Sequence, residues 1–232
     1  GQHAARRMLD LCRDLRAQDL VLCLISGGGS ALLSLPGGDI SLEEKQDLNR
    51  KLLRCGASIA QINTVRKHVS AIKGGRLAAA CHPAKVVSLM ISDVPGDNPQ
   101  LIASGPTVPD PTSAADARAI IERYRLDVAD SIHRFLRSAE SETPAPEDAI
   151  FDGNEVHVIA APQVSLQAAA QQARSEGVTP LILSDSVEGE AREVGTAFAA
   201  IARQARYHGQ PLAPPCVIIS GGDTTVSISG AG

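Results

Sequence analysis

Four short segments of this chain carry residue types that could hold an anion or move a proton. Ser26-Gly27-Gly28-Gly29-Ser30 follows an apolar run. Consecutive glycines permit positive φ and let the backbone approach a ligand closely. Their N–H groups can converge on an anion, and a following helix would add its positive end. The same string also makes a tight strand-to-helix turn that holds nothing. Ser220-Gly221-Gly222-Asp223-Thr224-Thr225 repeats the Ser-Gly-Gly signature after another apolar run and adds a carboxylate and hydroxyls. Its plainer reading is a β-turn before a strand over Val226 to Ile228. Ser92-Asp93-Val94-Pro95-Gly96-Asp97 sets Asp93 and Asp97 around a Pro-Gly turn. Two such carboxylates suit a metal ion or a general base for a hydroxyl substrate, and equally a turn residue and a helix cap. Ser184-Asp185, with Glu188 and Glu190 close behind, repeats the Ser-Asp signature.

Two further segments could complete such a site. If Ile62 to Gly75 is helical, Ile62, Val65, Val69 and Ile72 form one stripe. Asn63, Arg66, Lys67, Ser70 and Lys73 then form the adjacent stripe. Its cations and amide make a polyanion clamp or an ordinary solvated basic face, and Gly74-Gly75 would end the helix. The proline-rich stretch from Ile102 to Thr112 is either scaffold or a substrate wall, with Ser104 and Gly105 as its binding candidates.

Standard motifs are missing. There is no G-x-x-x-x-G-K-[ST], and Leu32 fills the third glycine position of G-x-G-x-x-G, which counts against a dinucleotide fold. No G-x-S-x-G occurs and nothing in the sequence nominates a base for Ser30. The histidines show no metal-ligand spacing. Cys12, Cys23, Cys55, Cys81 and Cys216 are odd in number and widely spaced, so a reducing, cytoplasmic setting is expected.

The elements that must position these residues alternate. Leu20 to Ile25, Val86 to Ile91, Val156 to Ala161, Pro180 to Leu183 and Cys216 to Ile219 read as strands. Their continuous apolarity fits strands buried on both faces of a parallel sheet. Between them lie helical patterns. One is capped by Ser41-Leu42-Glu43-Glu44 and continues through Leu48, Leu52, Leu53 and Ile59; another starts at Thr112 or Ser113. An Ala-rich helix runs from Ser165 to Gly177, and a last one spans Glu190 to Tyr207. The expected fold class is α/β: two Rossmann-like units with mainly parallel sheets and an inter-domain cleft. The first would span 1–140 and the second 150–232. The polar, proline-bearing stretch 138–148 between them reads as a linker or a long loop.

Composition narrows the function. The chain has 232 residues, 44% hydrophobic and only 2% aromatic, with a net charge of −4. That excludes a disordered chain. It also makes nucleic acid a poor partner, since neither a basic tract nor stacking aromatics are present. No apolar run reaches membrane-spanning length. The chain opens without Met, inside a helical pattern from Ala4 to Leu15, as an excised piece of a longer protein would.

Several of these segments together resemble the glycerate 2-kinase family. They are LISGGGSALLSLP (Leu24 to Pro36), INTVRKHVSAIKGGRLA (Ile62 to Ala78), ISDVPGDNPQLIASGPTVPDPT (Ile91 to Thr112) and ISGGDTTV (Ile219 to Val226). That family carries a MOFRL domain, and its members are often called hydroxypyruvate reductases. The resemblance implies ATP-dependent phosphorylation of D-glycerate, giving 2-phosphoglycerate, with Mg²⁺ or another divalent cation as cofactor. On it, Ser26 to Ser30, Asn63, Arg66, Lys67, Lys73, Asp93, Asp97 and Ser220 to Thr225 match the family's site segments. Arg66, Lys67, Lys73 and Asp93 are then the catalytic candidates, and Asp93 and Asp97 the metal ligands. Asp223 stands where Glu is usual and Asn98 where an acid is common. The family's Gly-Lys-Ala and Gly-Gly-Arg-Asn-Gln-Glu segments are expected outside these residues, before the chain and after Gly230-Ala231-Gly232. A nicotinamide-dependent reductase and an inactive anion-binding piece are the rival readings, and a homo-oligomer is left open.

Overall fold

The structure, a computed structural model, describes residues 1–227; Ile228 and the closing Gly230-Ala231-Gly232 lie outside them. The chain is a mixed α/β protein with parallel strand pairing, as expected. It forms two compact units. The first comprises Gly1–Ile91 and Asn98–Ile159; the second comprises Ser92–Asp97 and the chain from Ala160 onward.

The first unit starts with helix α1 (Gln2–Leu11) and strand β1 (Leu20–Ile25). The glycine turn and a single helical turn, α2 (Gly29–Leu32), follow. Helices α3 (Leu42–Arg54), α4 (Ile59–His68) and α5 (Arg76–Cys81) lead to strand β2 (Lys85–Ile91). Helices α6 (Ala114–Arg123) and α7 (Asp130–Arg137) precede strand β3 (Glu155–Ala160), at whose end the division falls. The sheet order is β1-β2-β3, and β1 pairs with β2 in parallel, Leu20 opposite Lys85 through Ile25 opposite Met90.

Local signals explain most boundaries. Ser41 accepts from the Glu44 N–H at 3.1 Å, and the Glu44 carboxylate accepts from the Ser41 N–H at 2.7 Å. This closes the expected capping box, and Lys51 and Arg54 in the last turn complement the helix dipole. Ile59 does not extend this helix. Gly56 turns the chain at φ 77°, and a second capping box, Ser58 with Gln61, opens α4. Ser113 caps α6 in the same way with Asp116. Leu48, Leu52, Ile62, Val65, Ile120, Ile121, Ile132 and Leu136 bury one core among α3, α4, α6 and α7. Ala5, Leu35, Ile72, Cys81 and Val86 bury a second one beside the sheet.

The strands differ from expectation in their burial. β1 is not buried on both faces: Leu20, Leu22 and Leu24 share one face and are 64%, 56% and 74% exposed. β3 is exposed along most of its length, including Val156, Val158 and Ile159, and no described residue of the two later strands, Thr179–Glu190 and Cys216–Thr225, is fully buried. The stretch 138–148 is a loop held within the first unit. Ser141 is fully buried, and its carbonyl accepts from His68 Nδ1 at 2.8 Å.

The second unit contains α8 (Pro162–Ser175), β4 (Thr179–Glu190), α9 (Ala191–His208) and β5 (Cys216–Thr225). Pro162 begins α8, so that helix starts before Ser165; proline suits the first turn because its missing N–H is unused there. β4 and β5 pair in parallel beyond their apolar parts, with register shifts at Ser184, and Glu188 comes opposite Asp223. Among the described residues, no helix is long and apolar enough to cross a membrane.

Candidate functional site

The basic segment folds differently from the single helix its periodicity predicts. α4 stops at His68, and Val69 leaves helical geometry at φ −101°, ψ 21°. Ser70 bridges to Pro36. Its hydroxyl donates to the Leu35 carbonyl at 3.2 Å and accepts from the N–H groups of Ile72 and Lys73. Lys73 therefore leaves the helical stripe, and a turn carries it to the glycine loop.

That turn is fastened to the proline-rich loop. Gly74 N–H donates to Ser104 O at 3.1 Å, Gly75 N–H to Gly105 O at 2.7 Å, and Leu77 N–H to Pro106 O at 3.0 Å. Gly74 and Gly75 have φ 58° and 79°. A Cβ on Gly75 would lie 2.9 Å from Val108 O, so the close approach requires glycine. Opposite them, Ala103 and Ser104 hold φ of 53° and 63°, which costs non-glycine residues free energy and marks a backbone held by its surroundings.

Ser30 is the meeting point. Arg66 Nη2 donates to its hydroxyl at 2.8 Å; Lys73 Nζ donates to the hydroxyl at 3.0 Å and to the Ser30 carbonyl at 2.6 Å. The buried Ser104 hydroxyl lies 2.7 Å from the same oxygen. Lys45, on α3, donates to the carbonyls of Leu35 and Val69 at 3.2 and 3.3 Å. Among the described residues, Lys45, Arg66 and Lys73 form no ion pair with a carboxylate. Burial pulls the Lys73 ammonium down to about 7, and the Arg66 and Lys45 charges add to the effect. Burial, then Arg66 and Arg76, does the same to Lys45, also to about 7. A cavity of about 350 Å³ is lined by Ser30, Lys45, Arg66 and Lys73 among others.

Other candidates stand elsewhere. Lys67 is 4% exposed and pairs with the buried Asp110 at 3.1 Å, so its charge is already balanced. Asn63 is buried on α4. In the glycine turn, Gly28 adopts φ 77°, and Gly29 N–H donates to Ser26 O at 3.3 Å, while Gly27 completes the bend. The helix behind this turn is only one turn long, so its positive end adds little. Gly221, Gly222, Asp223, Thr224 and Thr225 lie within β5 and not in a loop beyond it. The ladder to β4 continues through them, and Gly222 passes so close that a Cβ would sit 2.1 Å from Val187 O. Asp93 is exposed, and Asp97 is half-buried at φ 52° in the Ser-Asp loop. Among the described residues, no three His, Cys, Asp or Glu side chains gather to form a metal cage. Lys45 and its place in this cluster were not legible in the sequence, where it reads as one charge among many on an amphipathic helix.

The α/β fold thus gathers one buried and two half-buried cations, Lys73, Arg66 and Lys45, beside a glycine turn with no carboxylate partner among the described residues. A family model described as a domain of unknown function, DUF4147, matches residues 1–137, and the chain belongs to that family. An Agrobacterium vitis protein, provisionally named a hydroxypyruvate reductase, is 52% identical over 97% of this chain and 50% of its own length. The glycerate 2-kinase of Pyrococcus horikoshii is 42% identical over 98% of this chain and 52% of its own. A crystal structure of glycerate kinase from Thermotoga maritima matches with a TM-score of 0.87 at 41% identity, covering 99% of this chain and 54% of that one. The resemblance to glycerate 2-kinases is thus borne out, and the chain spans about half the length of the curated relatives it matches.

Proposed function

We propose that the intact natural protein is a glycerate 2-kinase, transferring the γ-phosphoryl group of ATP to D-glycerate to give 2-phosphoglycerate. The observation that carries this reading is the convergence of Arg66 and Lys73 on Ser30 without a balancing carboxylate among the described residues. Phosphoryl transfer asks little covalent chemistry of a protein; it asks for positioned cations and an oriented hydroxyl. Arg66 and Lys73 supply the charge, and Ser30 and Ser104 fix where it points. Gly27, Gly28, Gly29 and Gly105 shape the backbone around them. Lys67 takes a supporting role through Asp110, and the buried Asn63 takes one on the same helix. Gly221 to Thr225 form the second phosphate or substrate segment.

Asp93 and Asp97 are the residues for a divalent cation. Two carboxylates on one loop match the donor set of Mg²⁺, which keeps waters and shares substrate phosphates instead of filling an all-protein cage. When bound, the cation neutralises charge on the phosphates. The reactants are a small hydroxy acid and a nucleotide, and the setting is cytoplasmic. A coupled assay for ADP with ATP, Mg²⁺ and D-glycerate tests the reading; no ADP above the glycerate-free blank rejects it. Oxidation of NADH by hydroxypyruvate in place of that reaction would favour the reductase name of the Agrobacterium relative.

A further inference from the structure

Among the described residues, Lys45 is the cation of the cluster that makes no hydrogen bond to Ser30. An ammonium has three N–H donors. Two from Lys45 go to the carbonyls of Leu35 and Val69, at the long distances of 3.2 and 3.3 Å. Arg66 and Lys73 are instead bound to Ser30. All three line the same cavity of about 350 Å³, and none meets a carboxylate among the described residues. Like charges brought together out of water repel strongly, and an anion placed among them relieves both the repulsion and the lost solvation. At the lower end of the usual size range for small-molecule sites, roughly 300–1,000 Å³, the cavity suits a three-carbon acid better than a nucleotide.

We propose that this cavity takes the carboxylate end of the hydroxy acid, that Lys45 is the residue contacting it, and that the first unit's glycine turn serves the acid and not the nucleotide. This deepens the kinase reading and rests on it. Lys45 acts here as a specificity residue. It selects an acid over the corresponding neutral alcohol, because burying a cation without an anion is costly while pairing it is favourable. Nothing in this arrangement requires Lys45 for the transfer step, so its removal falls on the binding of the acid.

The test uses the intact natural protein and Lys45→Met, with Lys45→Arg as the conservative partner. Calorimetry with D-glycerate alone should show affinity weakened about 10- to 100-fold in Lys45→Met, as for losing a hydrogen bond to a charged group, with partial recovery in Lys45→Arg. The KM for D-glycerate should rise in step while the KM for ATP stays within about twofold, and glycerol should bind neither protein. Unchanged D-glycerate affinity in a Lys45→Met protein with wild-type melting behaviour overturns the proposal, as does a loss confined to ATP. The two readings separate cleanly. Phosphorylation of glycerate that is indifferent to Lys45→Met sinks the cavity assignment alone. Lys45-dependent glycerate binding without any ADP sinks the kinase reading and leaves the acid-binding cavity standing.

Discussion

Lys73 meets Ser30 twice, giving one hydrogen bond to its carbonyl at 2.6 Å and another to its hydroxyl at 3.0 Å. The pair lies 43 residues apart, and Lys73 is 1% exposed. A buried cation fixed on a neutral partner keeps its charge available to an incoming anion. Replacing Lys73 with Met, or Arg66 with Ala, should therefore lower kcat of the intact protein by about 10²- to 10³-fold, the range for removing one preorganised donor to developing charge. Steady-state kinetics with D-glycerate and ATP measure this. A kcat within threefold of wild type in both variants would remove the cluster from the chemistry.

Ser30→Ala should be milder than either. The Lys73 bond to the backbone carbonyl survives, while the bonds from Arg66 and Lys73 to the hydroxyl and the link to Ser104 are lost. The cations stay but their aim loosens. A fall of about tenfold in kcat/KM is expected, corresponding to roughly 1.4 kcal/mol of transition-state stabilisation. A loss as large as that of Lys73→Met would instead point to the hydroxyl as a reacting group.

Asp110 holds a different kind of charge. Its carboxylate accepts from Lys67 at 3.1 Å, from the N–H and hydroxyl of Thr112 at 3.1 and 2.8 Å, and from the Thr143 hydroxyl at 3.2 Å. The Lys67 and Asp110 side chains are only 6% and 0% exposed. Asp110→Asn leaves Lys67 charged and unpaired in the interior, a change that costs about 3–5 kcal/mol when a buried pair is broken. Urea denaturation should show a loss of that order. The double variant Asp110→Asn with Lys67→Met should recover part of it, which a purely steric effect of Asn would not allow.

Much of this scaffold is readable in the sequence, and the exceptions share a cause. Ser41 with Glu44 and Ser113 announce helix starts because a capping box is a local chemical fact. The apolar cores of β1, β2 and β3 are legible for the same reason. What fails is anything decided by distant partners. The pattern of Ile62, Val65, Val69 and Ile72 is helical, yet Ser70 binds Leu35 and Pro36 and ends the helix at His68. Apolarity stops at Leu183 and Ile219, yet the backbone ladder runs on through polar residues to Glu190 and Thr225. Within the cationic stripe, nothing local distinguishes Lys67, which Asp110 neutralises across 43 residues, from Arg66, which points to Ser30.

Gly74 offers a backbone test. It sits at φ 58°, and a Cβ there would lie 2.8 Å from Thr143 Cγ2 and 3.2 Å from both an Asp110 oxygen and Lys67 Cβ. Gly74→Ala meets an unfavourable φ and a clash together, so a loss above about 1 kcal/mol is expected. Gly56 is also left-handed, at φ 77°, but a Cβ there would meet nothing within 4 Å. The cost of Gly56→Ala should be the conformational part alone, and smaller. Equal losses in the two variants, compared by denaturant midpoint, would show that the packing around Gly74 is not what the loop depends on.

The depressed lysines make a signed prediction about pH. Lys45 and Lys73 titrate near 7 in the folded protein and at 10.5 when unperturbed. Between those values the unfolded chain carries protons that the folded chain lacks, so these groups make stability rise with pH from about 7 toward 10.5. The limiting slope is about 1.4 kcal/mol per pH unit for each lysine. Lys73→Met should flatten the rise, with cysteine and tyrosine titrations cancelling in the comparison. Anion binding runs the other way. An acid seated against Lys45 and Lys73 favours their charged forms, so binding takes up protons, and affinity should weaken as pH climbs above 7. Calorimetry of D-glycerate binding in two buffers of different ionisation enthalpy measures that uptake. Proton release on binding, or an affinity level from pH 6.5 to 9, would mean that neither lysine meets the acid.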